Sequence, residues 1–254
     1  MIPVVIVGAA GRMGQALRAC LAEYPPLQLH AAVDRAPSAD GGITTDLAAA
    51  LRGARVMIDL SDADATAGNL TACAEAGVAA FVGTTGQGSE IESVLQRAAR
   101  RVPVLLAANT SVGVTLLTEL VRRVARTLPP QFDIEITEAH HRHKKDAPLG
   151  TALHLGRAAA QGRNREFDEV AVFTRHGIGL RAPGAIGFSV IRGGDIAGDH
   201  SVMFAGPGEC LVLTHQVTDR TIFARGALRG ATWLAEQRPG RYSMRDVLAL
   251  DSTP

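Results

Sequence analysis

Residues Glu138-Ala139-His140-His141-Arg142-His143-Lys144-Lys145-Asp146-Ala147-Pro148-Leu149-Gly150-Thr151 carry the densest chemistry in the chain, and the six from His140 to Lys145 are all basic or imidazole. Three kinds of chemistry could use such a run: a metal site, a polyanion patch, or a pocket for a small carboxylate. A metal needs neutral imidazoles with free lone pairs, and Arg142, Lys144 and Lys145 raise the cost of bringing a divalent cation beside them. No metal is expected here. A nucleic-acid surface draws on a wider basic face, with stacking aromatics where a single strand is bound. Aromatic residues make up only 4% of the chain and its 26 basic residues are offset by 25 acidic ones, so no nucleic-acid partner is expected. The carboxylate pocket accounts for more of the run, because it leads into a predicted helix near residues 148–151 whose first N–H groups and positive dipole end favour an anion. A solvated basic loop is the plain alternative.

A second stretch with chemical content is Gly8-Ala9-Ala10-Gly11-Arg12-Met13-Gly14, between an apolar run and a helix-forming one. Backbone N–H groups and the helix dipole can meet a pyrophosphate at such a turn. The G-x-x-G-x-x-G spacing differs from the commoner G-x-G-x-x-G, and a packing turn uses glycines too. Position adds specificity: the loop is the first strand-to-helix turn of a β-α-β array, and Asp34 ends the next strand, where an acid can hold ribose hydroxyls. Asp34 alone favours NAD, since a carboxylate repels a 2′-phosphate, while Arg12 and Arg35 are placed to pair with that phosphate. Use of both NADH and NADPH is therefore expected. Gly83-Thr84-Thr85-Gly86 and Ala107-Ala108-Asn109-Thr110 follow the fourth and fifth predicted strands, at the edge where ligands bind in such sheets. Ordinary turn and cap chemistry uses the same residue types. A reduced nicotinamide would give the histidines of the cationic loop a task. Hydride addition to a conjugated imine leaves an electron-rich enamine that must gain a proton, and histidine exchanges protons near neutrality whereas lysine keeps its charge.

The elements that must position these loops are legible in outline. Ile2–Val7, Leu27–Val33, Val56–Leu60, Val78–Val82 and Val102–Ala107 read as buried strands. Gly11–Ala22, Ala63–Ala76 and Ser89–Arg100 read as helices between them. The order implies a doubly wound parallel sheet of the dinucleotide-binding kind. After a helix near Val114 to Thr127 the pattern changes: Phe132–Glu138, Glu169–Thr174, Gly187–Ile191, Ser201–Phe204 and Cys210–Val217 read as strands, with one helix near Thr151–Ala160. This predicts an α+β domain with a mixed or antiparallel sheet. A last helical run, Phe223 to Glu236, is expected to return to the first domain. The division expected is 1–110 with 220–254 for dinucleotide binding, and 111–219 for substrate binding and oligomerisation. Trp233 and Phe223 are expected in the core, Met13 packed on the first helix, and Cys20 and Cys73 buried as small apolar groups.

Composition sets the outer limits. A chain of 254 residues buries a substantial core without staples. Cys20, Cys73 and Cys210 are far apart and odd in number, which indicates neither a disulfide framework nor a thiolate metal site. No basic residue precedes the apolar start, and no apolar run approaches the roughly 20 residues of a membrane helix. A cytoplasmic protein with no membrane partner is expected.

The cationic loop closely resembles that of the 4-hydroxy-tetrahydrodipicolinate reductase family of diaminopimelate and lysine biosynthesis, whose pattern is E-x-H-H-x-x-K-x-D-A-P-S-G-T-A. Glu138, His140, His141, Lys144, Asp146, Ala147, Pro148, Gly150, Thr151 and Ala152 stand in register with it. The G-x-x-G-R-M-G opening, Gly83-Thr84-Thr85-Gly86, Asn109-x-Ser111 and Arg192-Gly193-Gly194-Asp195-x-x-Gly198-Asp199-His200 are similar too, so the likeness spans nearly the whole chain. It implies that His140 donates the proton to a reduced cyclic dicarboxylate, that Lys144 aids protonation and holds substrate, and that His141 with the Gly150–Thr151 backbone binds carboxylate. It also implies that Gly8, Ala9, Ala10, Gly11, Arg12, Met13, Asp34, Arg35, Gly83, Thr84, Thr85, Ala107, Ala108, Asn109 and Thr110 bind the dinucleotide, and that the protein is a homotetramer assembled through the second sheet. One position departs: Leu149 stands where the family has serine. That departure motivates a second reading, a related imine-reducing dehydrogenase acting on another anion; a nucleotide-sensing protein without catalysis is a third.

Overall fold

The computed structural model describes residues 1–86, 88 and 90–250. From the amino end the elements are β1 (Ile2–Val7), α1 (Arg12–Cys20), β2 (Leu27–Val33), α2 (Leu47–Leu51), β3 (Val56–Asp59), α3 (Ala63–Ala76), β4 (Ala79–Val82), α4 (Ile91–Ala99) and β5 (Pro103–Leu106). Then follow α5 (Val112–Thr127), β6 (Asp133–His140), α6 (Gly150–Gly162), α7 (Phe167–Val170), β7 (Ala171–Val172), β8 (Ile186–Arg192), β9 (Asp199–Gly206) and β10 (Glu209–Gln216). Last come α8 (Thr221–Leu234), β11 (Gly240–Tyr242) and α9 (Met244–Val247). The chain divides into two compact units, Met1–Val112 with the segment from Thr221 onward, and Gly113–Arg220.

The first unit holds a sheet of order β11-β5-β4-β3-β1-β2, parallel throughout. Side chains alternate across a strand, and helices cover both faces, so the strands are apolar at nearly every position. Val4, Ile6, Ile58, Phe81 and Leu105 point to one face, where Leu17 of α1 and Ala227, Leu228 and Ala231 of α8 meet them. Val5, Val7, Met57, Ala80, Val82 and Val104 point to the other, against Leu70 and Cys73 of α3 and Leu95 of α4. Glycines let α8 come close: a Cβ on Gly226 would run into the Thr110 carbonyl oxygen, and one on Gly230 would stand 2.5 Å from the Phe81 ring. The chain passes from β1 to β2 on one side and then to β3 on the other, so the strand order reverses between β1 and β3, where doubly wound sheets open a crevice for ligands.

In the second unit the order is β10-β9-β6-β8-β7, with β6, β8 and β7 parallel to one another and β9 and β10 antiparallel to their neighbours. One face packs Ile134, Ile136, Ile186, Phe188, Val202 and Phe204 against Ala152, Leu155, Ala158 and Ala159 of α6 and Leu117 and Val121 of α5. The opposite face leaves Met203, Val212 and Ile191 from 41% to 49% exposed.

Ile2–Val7, Leu27–Val33 and Ala63–Ala76 coincide with the pattern reading, and most other element boundaries shift by one or two residues. Ser89, the expected start of the helix over Ser89–Arg100, lies outside the described residues, and the observed α4 begins at Ile91. The strand expected over Glu169–Thr174 is a correction: the segment opens as the helical turn α7, and only Ala171 and Val172 pair with β8. Asp168 and Glu169 sit in the first turn of α7, where the helix dipole favours acids. Three short elements escape periodicity because they span three to five residues: α2, capped by Asp46 accepting from Ala49 N, then β11, and α9, started by a Ser243–Asp246 capping box.

Candidate active site

The glycine loop is built by close backbone approach. Gly8 leaves β1 with φ +79°, in the left-handed region that glycine tolerates, and Gly8 N and Ala9 N both donate to Val33 O. A Cβ on Gly14 would collide with Gly8 O and the Ala9 backbone, so glycine there is a steric requirement of the turn. Gly11 is the N-cap of α1, with no side-chain cap bond and no acidic residue in the helix's first turn. The end of α1 thus keeps its N–H donors and dipole for an anion, as a dinucleotide pyrophosphate requires. Asp34 is brought to the loop: its Oδ2 accepts from Ala10 N at 2.9 Å and its Oδ1 from Arg35 N at 2.7 Å. Arg12 and Arg35 are exposed, and Met13 is half-buried against the core.

Gly83 to Thr85 and Ala107 to Thr110 leave the carboxyl ends of β4 and β5. Their side chains make internal bonds. Buried Thr84 shares a 2.8 Å hydroxyl hydrogen bond with Thr66, Asn109 Oδ1 accepts from Ser111 N, and Thr110 Oγ1 donates to Phe223 O. Thr85 and Ala108 are exposed. The sequence pattern gave no notice of Asp59, which is fully buried at the end of β3. It accepts from Ser61 N, Ser61 Oγ and Asn69 Nδ2, and so fixes the β3–α3 turn that stands against Gly8.

In the second unit the same period-2 face that carries Ile134 and Ile136 continues along β6 to Glu138 and His140. Cross-strand register sets His140 opposite Arg192 of β8, Glu138 opposite His200 of β9, and His200 opposite His215 of β10. Glu138 is 1% exposed, His140 5% and His200 4%. Glu138 Oε2 lies 2.6 Å from His140 Nδ1 and accepts from Arg192 Nη1 at 2.7 Å, while Oε1 accepts from Arg192 Nη2 at 2.6 Å and from Leu149 N at 3.1 Å. Burial pushes the Glu138 carboxyl up, but the bonds from Arg192, His140 and Leu149 outweigh it and hold the group below the usual carboxylate range. The His200 ring meets His140 edge-on at 5.3 Å, and among the described residues neither of its nitrogens has a hydrogen-bond partner. Burial first, then the neighbouring His140, pushes His200 down to about 4, so this ring is neutral near pH 7.

From His140 the chain enters the cationic loop. Lys144 Nζ bonds Asp146 Oδ1 at 2.7 Å, and this bond, against a smaller desolvation effect, holds the Asp146 carboxyl down. His141 is pushed down by desolvation first and then by the electrostatic influence of Arg220, His143, His140 and Lys144. His141, Arg142 and His143 border an open cleft of about 670 Å³ with Gly194 and Asp195. The loop ends at Leu149, the N-cap of α6, which has an extended backbone and no side-chain cap bond. Gly150 and Thr151 form the first turn, and no acid lies in it. Among the described residues no group of three or more His, Cys, Asp or Glu is arranged to hold a metal ion.

Of the residues predicted from sequence, the glycine loop thus meets Asp34 in the first unit. His140, His141, Lys144, Gly150 and Thr151 cluster along one strand, loop and helix start in the second. Glu138, Arg192, Gly198 and His200 have no separate role in the pattern reading. Their signal is the two-residue spacing of Glu138 and His140, which puts both on one face of a strand.

A doubly wound parallel sheet with a glycine turn, joined to a unit with a histidine–lysine loop, defines a dinucleotide-binding two-unit oxidoreductase class. Residues 2–110 match the family described as dihydrodipicolinate reductase, N-terminus, and residues 113–248 the one described as dihydrodipicolinate reductase, C-terminus. A 4-hydroxy-tetrahydrodipicolinate reductase of Thiobacillus denitrificans is 47% identical, over 98% of this chain and 99% of that protein. One from Anaeromyxobacter dehalogenans is 45% identical, over 98% of each. Among solved structures, a dipicolinate-bound dihydrodipicolinate reductase from Paenisporosarcina sp. TG-14 superposes with a TM-score of 0.80 at 21% identity, covering 96% of this chain and 97% of that one. This chain belongs to the dihydrodipicolinate reductase family. It is accordingly an oxidoreductase that takes a nicotinamide cofactor.

Proposed function

We propose that this chain reduces 4-hydroxy-tetrahydrodipicolinate, by way of dihydrodipicolinate, to tetrahydrodipicolinate, with NADH or NADPH as reductant and His140 as proton donor. The observation that carries the reading is the placement of buried His140 at the mouth of a cationic loop that ends on the uncapped, acid-free start of α6. Bound reduced nicotinamide supplies the hydride. His141, the cations beside it and the Gly150–Thr151 N–H groups hold the carboxylates, because a helix start and fixed positive charge favour an anion. Lys144, steadied by Asp146, holds the substrate and supports protonation by keeping positive charge near the enamine as it forms. His140 then delivers the proton that completes the reduction.

Residues 8–13, 34–35, 83–85 and 107–110 hold the dinucleotide in this reading, with residues 1–110 and 220–254 as the cofactor domain and 111–219 as the substrate and assembly domain. Exposed Met203, Val212 and Ile191 on the open face of the second sheet support assembly as a homotetramer through that face. Three cysteines outside any disulfide suit a cytoplasmic location.

The test couples an active dihydrodipicolinate synthase to the purified protein and follows absorbance of the reduced nicotinamide. Oxidation that depends on both enzymes is expected; none with active synthase overturns the assignment. Both nucleotides are expected to work, since Asp34 and Arg35 adjoin the same loop. A kcat/KM ratio between them beyond about a hundredfold contradicts dual use. Light scattering checks the tetramer. Leu149 at the α6 N-cap supports the second reading, a related imine reductase with another anionic substrate, and a substrate panel separates the two.

A further inference from the structure

Glu138 carries four hydrogen bonds from three directions, and one of them determines the state of a neighbouring ring. An ionised carboxylate only accepts, so a 2.6 Å contact with Glu138 Oε2 requires the hydrogen to sit on His140 Nδ1. The carboxylate stays ionised despite its burial because the Arg192 fork meets both of its oxygens. The other donor is Leu149 N, from the end of the cationic loop, and Arg192 Nη2 also donates to Asp146 O in that loop. The charged and titratable groups facing His140 are therefore Glu138 on its own strand, Arg192 from β8, His200 from β9 and His141 beside it. Among the described residues His200 has no hydrogen-bond partner, so it makes no bond that would draw His140 Nδ1 away from Glu138. The space beside Nε2 is kept free of a side chain by Gly198.

We propose that Glu138, locked by Arg192, is the positioning residue of the proton donor: it holds His140 with Nδ1–H turned to the carboxylate and reserves Nε2 as the nitrogen that exchanges protons with substrate. This rests on the reading of His140 as proton donor. In the step so arranged the Nε2–H bond of the imidazolium breaks and its proton goes to the substrate carbon. The ring becomes neutral and keeps Nδ1–H, Glu138 remains a carboxylate, and Nε2 regains a proton from water. The same carboxylate ties the far end of the cationic loop to the strand that carries His140, so donor and anion-binding helix start share one anchor.

The first test needs no variant. In protein with ¹⁵N-labelled histidine, the His140 signals, identified by their loss in His140→Gln, should report Nδ1–H and a bare Nε2 when the ring is neutral. An Nε2–H tautomer overturns the proposal. The second is a double-mutant cycle. Glu138→Gln should lower kcat about tenfold or more with little change in KM, but add less than about threefold when His140 is already Gln. Equal losses in both backgrounds mean a merely structural role and overturn it. If Glu138→Gln does not fold, the tautomer of the unaltered protein still decides. Loss of Glu138→Gln activity with an undiminished His140→Gln enzyme strikes the reading of His140 instead.

Discussion

Gly198 passes so close to His140 that a methyl group on its α-carbon would stand 2.8 Å from Nε2. Its φ of +152° also lies outside the range that side chains tolerate. Gly198→Ala should therefore displace the ring, lower kcat/KM by about tenfold or more and destabilise the fold by about 1–3 kcal/mol. Steady-state kinetics and urea denaturation check it. An alanine variant with unchanged kcat/KM and stability would show that the strand yields there.

For the chemistry itself, His140→Gln should lower kcat by about a hundredfold or more, the lower end of what positioned proton transfer contributes, with KM little changed. A loss below about threefold removes His140 from the mechanism. Lys144→Ala should reduce both kcat and substrate affinity, since the side chain is asked to do both; an unchanged kcat/KM refutes that role.

His200 makes stability depend on pH. Its folded value near 4 lies below the ordinary 6.5, so between them the unfolded chain binds a proton that the native state excludes. The stability is fully present above about pH 6.5 and is lost as pH falls towards 4. His141, His154 and His215 are lowered too and slope the same way. His200→Leu should flatten the curve, removing about 2 kcal/mol of the difference between about pH 7.5 and about pH 5. Urea titrations at the two pH values measure it, and an unaltered difference would mean that the native ring accepts its proton readily.

Leu149 leaves the start of α6 without a side-chain cap, although its backbone, φ −65° and ψ 151°, is that of a capping residue. Leu149→Ser should accordingly stabilise the protein by about 1 kcal/mol and raise Tm by roughly 2–4 °C. If the hydroxyl also reaches a substrate carboxylate, KM falls. A scanning-calorimetry trace and a KM that both match the parent would leave the helix start needing no hydroxyl.

The loops and the broad architecture were legible because their signals are local. The glycine turn needs the absence of a side chain at Gly8 and Gly14, and the cationic loop is contiguous from His140 to Lys145. Buried parallel strands read as continuous apolar runs because both of their faces are covered. The segment at Glu169–Thr174 misled since a half-turn of helix and a two-residue strand share the composition of one longer strand.

By itself, then, the sequence determined the family likeness, the β-α-β order and the identity of the residues in the two loops, since each depends on neighbours along the chain. Only the tertiary structure decided which groups surround His140. Arg192 lies 54 positions from Glu138, and their meeting depends on the parallel register of β6 and β8. His200 reaches the ring through the antiparallel register of β9. Strand pairing is a non-local choice, and a shift of one residue would turn Glu138 and His140 to the opposite face.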